Sequence, residues 1–278
     1  MKPLFSLLFF LLTVCGLSAQ VTYTRQDSLT IVRLLSEAPG PDPLWVARQF
    51  IGSPYVGHTL EVNDREQLVV NTRQLDCTTL VETVTALTIC IKEKKRDFCS
   101  YCQVLRLLRY RDGRIDGYPS RLHYFTDWIA DNGRMGLVNE IVREGSPFTA
   151  RQTVNVSYMS GHPEAYKALK AHPELVKTIA RQEQRLNGLT VNYIPKSKVL
   201  NTRELREVVS DGDILAITCN KPGLDIAHLG FAVWRKDGLH LLNASSIHKK
   251  VVEETMTLGQ YLQKHPSHTG IRVLRIRK

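Results

Sequence analysis

The sequence predicts an α+β protein, and the order of its patterns carries the prediction. Apolar residues at helical spacing occupy the first half, whereas β-branched, strand-length runs collect after residue 213. No internal repeat, low-complexity tract or Gly/Ser linker interrupts the chain, so 20–278 is expected to be a single domain. The 278 residues with 43% hydrophobic content suffice for a substantial core.

Taken in order, the chain opens with "MKPLFSLLFFLLTVCGLSAQ", in which Lys2 precedes an apolar run from Leu4 to Val14 and the small residues Gly16, Ser18 and Ala19 follow. This predicts a secretory signal peptide over 1–19, cut near Ala19, with an apolar run too short for a comfortable membrane span. A lipid anchor on Cys15 is the lesser alternative, because Val14 is bulky for the position before a modified cysteine. Asp27 to Ser36 and Asp42 to Phe50 predict short amphipathic helices separated by "APGPDP". "IGSPYVGHTLEV" reads as a loop and "EQLVVN" as a short strand. From Cys77, the spacing of Leu80, Val81, Val84, Leu87 and Ile91 predicts a helix. Either a Thr79–Glu82 capping box or Asp76 starts it. Next come a strand-like run to Tyr110, a turn at "RDGRIDG" and an aromatic helix. "HPEAYKALKAHPELVKTIARQEQRLN" is helical with a break at Pro173, and "YIPKSKV" connects onward. The expected strands are Ile214–Thr218, Ala227–Trp234, Leu239–Ala244 and Ile271–Ile276.

The formal net charge of +10 loses only Lys2 on processing and favours anionic partners. For an exported protein these are cell-wall polymers, anionic lipid surfaces or carboxylate-rich peptides; no nucleic-acid recognition motif is present. Beyond the leader lie Cys77, Cys90, Cys99, Cys102 and Cys219, an odd count that leaves at least one unpaired thiol. No HExxH occurs, and Cys99-Ser-Tyr-Cys102 lacks a second ligand pair, so no metal site is expected. That pair reads as a local disulfide or two thiols.

Cys77 sits where a helix begins. The helix-terminal field favours a thiolate there, and the residue's own N–H faces a developing oxyanion. The plain alternative is a small apolar thiol packed under a helix. Asp76 either caps the helix or binds a cationic amine. A nucleophile needs a base, and the base needs an orienting group. His228 begins the strand in "DIAHLGFAVW". If "RKDG" is the hairpin loop, Trp234 pairs with Leu239, Gly230 faces Asn243, and His228 and Asn243 become diagonal neighbours on one face. The Asn243 amide oxygen then accepts from one imidazole nitrogen and turns the other toward the sulfur. Cys, His, Asn is the order found in papain-like enzymes. His58, His162, His172, His248, His265 and His268 read as mostly solvated.

Together "GSPYVGHTLE", "LDCTTLVETV", "SRLHYFTDWI", "AHLGFAVW" and "LLNASS" resemble the DUF1460 amidases of the NlpC/P60 superfamily, from about Trp45 to the C-terminus. The resemblance implies a papain-like core with added helical insertions, and Cys77 as nucleophile, His228 as base and Asn243 as orienting residue. Relatives often carry histidine at the last position, so Asn243 departs from the pattern. Tyr55 matches the tyrosine lining the site near the oxyanion, and Asp76 the acid that helps hold the peptide. Thr78, Arg121, His123, Tyr124 and Ser245 complete the expected substrate-binding set, Arg121 for a carboxylate and His123, Tyr124 and Trp128 for sugar or peptide faces; the helical spacing of Tyr124, Phe125 and Trp128 equally suits the core. The implied reaction cleaves the amide between N-acetylmuramic acid, often its 1,6-anhydro form, and L-alanine, without metal or organic cofactor. The implied partners are muropeptides, and the expected protein is a periplasmic monomer. Cleavage between D-glutamate and the diamino acid, or a catalytically dead wall-binding module, are the alternatives.

Overall fold

The computed structural model describes residues 21–277; the expected leader at 1–19 lies outside the described residues. The helices are α1 (Arg25–Glu37), α2 (Pro43–Arg48), α3 (Cys77–Lys92), α4 (Phe98–Arg109), α5 (Phe125–Arg134), α6 (Tyr158–Gly161), α7 (Lys167–Ala171), α8 (Val176–Leu186), α9 (Arg203–Val208) and α10 (Leu258–Lys264). The strands are β1 (Val21–Thr22), β2 (Leu68–Val69), β3 (Val138–Ile141), β4 (Ala150–Thr153), β5 (Thr190–Pro195), β6 (Ile214–Cys219), β7 (Ile226–Trp234), β8 (Leu239–Ser245), β9 (Lys250–Glu253) and β10 (His268–Ile276). None of the described helices is long and apolar enough to cross a membrane.

Eight strands form one antiparallel sheet in the order β4-β5-β10-β6-β7-β8-β9, with β3 added beside β10. Successive residues of a strand face opposite sides, and both sides of this sheet are covered. Ile214, Ala216, Phe231, Leu242 and Leu274 pack with the apolar residues of α1 to α5. Leu215, Ile217, Ala232, Leu241 and Val273 pack with Leu205 of α9 and with Leu258 and Leu262 of α10. The middle segment builds its own small core from Tyr118, Tyr124, Val154, Val156, Met159, Leu169, Ile179 and Leu186.

The β7–β8 hairpin has the register expected for a four-residue loop, with Trp234 opposite Leu239 and Phe231 opposite Leu242. Gly230 is required by close approach: a Cβ there would lie 2.6 Å from the Leu242 carbonyl oxygen and 2.7 Å from a Leu241 methyl. The mixed region diverges from the sequence reading. The run to Tyr110 is helix α4, because Asp97 caps it through the Ser100 N–H at 2.8 Å and Tyr101, Leu105 and Leu108 fall on one buried face. β5 takes up part of "YIPKSKV", and β3, β4 and β9 are short strands with no expected counterpart. Cys90, Cys102 and Cys219 are buried free thiols, so the Cys99–Cys102 disulfide is not formed.

Helix α3 is buried from Thr79 through Ile91. Glu82 can occupy its interior only because Arg109 of α4 meets it at 2.7 Å while also donating to the Val69 carbonyl at 2.6 Å. Removing one member of such a pair strands the other charge in the core. Arg109→Leu is therefore expected to destabilise the fold by about 3–5 kcal/mol in urea denaturation; a loss under about 1 kcal/mol, the scale of surface pairs, would contradict this role.

Candidate active site

The start of α3 is defined by Asp76. Its Oδ1 accepts from the Thr79 N–H at 2.8 Å and hydroxyl at 2.9 Å, while the Asp76 N–H donates to Thr79 Oγ1 at 2.9 Å. The capping box is thus Asp76–Thr79, and Glu82 serves the ion pair with Arg109 instead. Cys77 follows as the first helical residue, half-buried, and its N–H has no acceptor among the described residues. The sulfur takes hydrogen bonds from the Leu229 backbone of β7 and from the Thr78 side chain and backbone. Burial, then the Asp76 carboxylate, push the thiol up to about 12 against those donors. This corrects the expectation that the helix start alone favours a thiolate: desolvation outweighs it, and the sulfur rests protonated.

A protonated thiol needs a neutral base. His228, next to Leu229, lies beside a bulge where β7 slips by one residue against β6 between Ile217 and Thr218. Bulges of this kind re-aim side chains. Its Nε2 lies 2.9 Å from Asn243 Oδ1. Burial lowers the imidazole below its ordinary 6.5, although the Asn243 hydrogen bond acts in the other direction, so the ring is neutral at neutral pH. Asn243 is 1% exposed, and its Nδ2 donates to Oε1 of the buried Glu254 at 3.1 Å. Tyr261 of α10 stacks on His228 with ring centroids 6.4 Å apart. Burial raises its phenol, and the Glu254 carboxylate, then Cys77 were it ionised, raise it further. Tyr55, hydrogen-bonded through its N–H to the Lys249 carbonyl at 2.9 Å, is raised by burial and then by Cys77 and Asp76. Two phenols therefore lie within electrostatic reach of the thiol.

The model of the N-acetylmuramoyl-L-alanine amidase-like (AmiA-like) family matches residues 45–271. The chain belongs to that family. A solved N-acetylmuramoyl-L-alanine amidase from Bacteroides uniformis ATCC 8492 is 44% identical, with a TM-score of 0.80, covering 86% of this chain and 100% of its own. A Bacteroides fragilis protein named provisionally as a xylanase is 45% identical, with a TM-score of 0.78 over 84% of this chain and 100% of its own. A Legionella pneumophila protein of the DUF1460 family shares the fold at 22% identity, with a TM-score of 0.69 over 91% of this chain and 95% of its own. A search of curated proteins found no significant match.

Other expected site residues of this amidase-like chain are engaged internally. Arg121 is 7% exposed, pairs with Glu61 and Glu66 at 3.4 Å each, and lies over the Tyr118 ring at 4.8 Å. It lines a cavity of about 750 Å³ with Glu61, Glu66, Tyr118, Lys167 and His172, which none of Cys77, His228 and Asn243 lines. The candidate site is placed at the thiol because His228 meets Asn243 on β7, whose next residue, Leu229, bonds the Cys77 sulfur. His123 is held to the Tyr118 carbonyl at 3.0 Å and packs tilted against the Tyr118 ring, with centroids 4.5 Å apart. Tyr124 is 7% exposed and joins the middle core, the alternative its helical spacing allowed; its hydroxyl donates to Glu183 at 2.6 Å and accepts the Met159 N–H at 3.0 Å. Ser245 is buried and accepts the His248 N–H at 3.2 Å, closing the β8–β9 turn. His265 and His268, expected on the surface, stack on each other; His268 also stacks on Tyr261, against which His265 packs tilted, and His268 is 6% exposed. Glu254 and Tyr261 were not anticipated, since no strand was expected at 250–253 and no helix at 258–264.

Burial holds His123 down at about 3 in the folded chain, against an ordinary 6.5. Because the folded value is depressed, its contribution is intact above 6.5 and is lost as the pH falls, by up to about 1.4 kcal/mol per unit. His123→Gln, which keeps a donor for Tyr118, should flatten the loss of stability from pH 6.5 down to about 4 in urea titrations; the same pH slope in both proteins would contradict this.

Proposed function

We propose that this chain is an exported papain-like cysteine amidase of the NlpC/P60 type, acting as one domain in the periplasm on muropeptides. It hydrolyses the amide between N-acetylmuramic acid, including its 1,6-anhydro form, and L-alanine. The observation that carries the reading is the 2.9 Å contact between His228 and Asn243 on the strand whose next residue, Leu229, touches the Cys77 sulfur. Membership of the amidase-like family and the 44% identity to the Bacteroides uniformis amidase support the bond assigned.

The resting pair is a neutral thiol and a neutral imidazole. As the sulfur attacks the lactyl carbonyl, its proton passes to His228 Nδ1, which avoids stabilising a buried thiolate beside Asp76. The Cys77 N–H, without an acceptor among the described residues, and the Tyr55 hydroxyl stabilise the oxyanion. The imidazolium protonates the departing alanine amine, leaving a thioester on the muramyl side; His228 then activates water to release the acid. Asp76 Oδ1 is spent on the cap, and Oδ2 is the atom offered to the substrate amine. Each step uses only the chain's own groups. Glycoside hydrolysis, suggested by the name of the Bacteroides fragilis protein, calls for two carboxyl groups flanking a sugar bond. Asp76 and Glu254 are instead committed to a helix cap and to Asn243.

Product masses from a muropeptide mixture test the reading. The wild type is expected to release a peptide beginning at L-alanine, and Cys77→Ala to lower the rate by about 10³-fold or more. Alanine retained on the sugar would move the cut into the stem peptide, and bound substrate without turnover would leave a binding module.

A further inference from the structure

Behind the base and its partner lies a carboxylate that the proposed chemistry does not itself use. Glu254, just past β9, is 4% exposed. Its N–H donates to the Leu241 carbonyl at 2.8 Å, which ties it to the second residue before Asn243 on the neighbouring strand. Oε1 accepts from Asn243 Nδ2 at 3.1 Å. Oε2 meets His248 Nε2 at 3.2 Å, and the His248 side chain is 49% exposed. Asn243, His228 and His248 thus form a continuous line from the inner site to the surface through Glu254.

We infer that Glu254 is a positioning residue that selects the imidazole tautomer of His228 by fixing which way the Asn243 amide points. A carboxylate only accepts hydrogen bonds, so the Asn243 atom facing Glu254 must be the NH₂ group. The atom facing His228 is then Oδ1, which also only accepts. Nε2 of His228 must therefore carry the proton, and Nδ1 is left bare to receive the thiol proton. Asparagine alone cannot impose this order, since its two ends are nearly equal in shape and a flipped amide would present NH₂ to the imidazole and select the opposite, unproductive tautomer. His248 occupies Oε2, which leaves Oε1 to Asn243. The charged and titratable groups that face Glu254 are His248 through this contact, and Tyr261 and His228 through the field.

The inference rests on the role proposed for His228, and its test is chosen so that the two can fail separately. Nitrogen-15 NMR of the histidine rings reads the tautomer in the intact protein without turnover. The wild type is expected to show His228 protonated at Nε2, and Glu254→Gln a mixture of both tautomers, because glutamine can present either end to Asn243. In muropeptide hydrolysis, Glu254→Gln is expected to lower kcat by about tenfold or more, as wrong-tautomer variants do, with KM changed less than twofold. In an Asn243→Ala background the same substitution should lower kcat no further, since its route of action is gone. An unchanged tautomer in Glu254→Gln, or a kcat loss that persists undiminished in the Asn243→Ala background, would overturn the inference and leave a structural role. A shifted tautomer in a protein that cuts a different bond would uphold it while refuting the amidase reading.

Discussion

The pairing of Trp234 with Leu239 is the constraint on which the rest of the site depends. Because strand side chains alternate, a slip of one residue would send His228 and Asn243 to opposite faces. With this register Asn243 lies on the diagonal from His228, across Gly230, where no side chain fits. The β8–β9 ladder, in which Asn243 faces Val252, then delivers Glu254 against the amide. One ladder thus aligns His228, Asn243 and Glu254, and α3 docks against β7 and β8 to bring Cys77 alongside.

That docking explains the electrostatics. Burying α3 around nearly its whole circumference desolvates its first turn, so the thiol rises and the imidazole falls. Both shifts favour the uncharged pair. The same burial makes Glu82 and Arg109 necessary to each other, and it ties α4 to α3 by an ion pair rather than by apolar contacts alone.

Much of this arrangement was legible in the sequence for local reasons. The α3 start has an acid, a threonine and an apolar period within a few residues, and the hairpin register follows from a four-residue loop. The parts that escaped depend on partners distant in the chain. Tyr124 and Arg121 are residues that could face solvent, a ligand or a buried carboxylate, and the choice rests on Glu183, Glu61 and Glu66, which no local pattern reveals. Leu, Val, Tyr and Cys in 101–110 suit a strand as well as a helix, and the Asp97 cap decides for the helix. Glu254 escaped because β9 is a four-residue edge strand with too little alternation to read. His268 escaped because β10 begins earlier than its apolar run.

The most direct measurement is the mass of the protein after acid quenching during turnover of a muropeptide, followed by mapping of the modified peptide. The account predicts an acyl adduct on Cys77 whose mass equals the muramyl portion without alanine. Turnover with no adduct, an adduct on another residue, or one that carries alanine would contradict it.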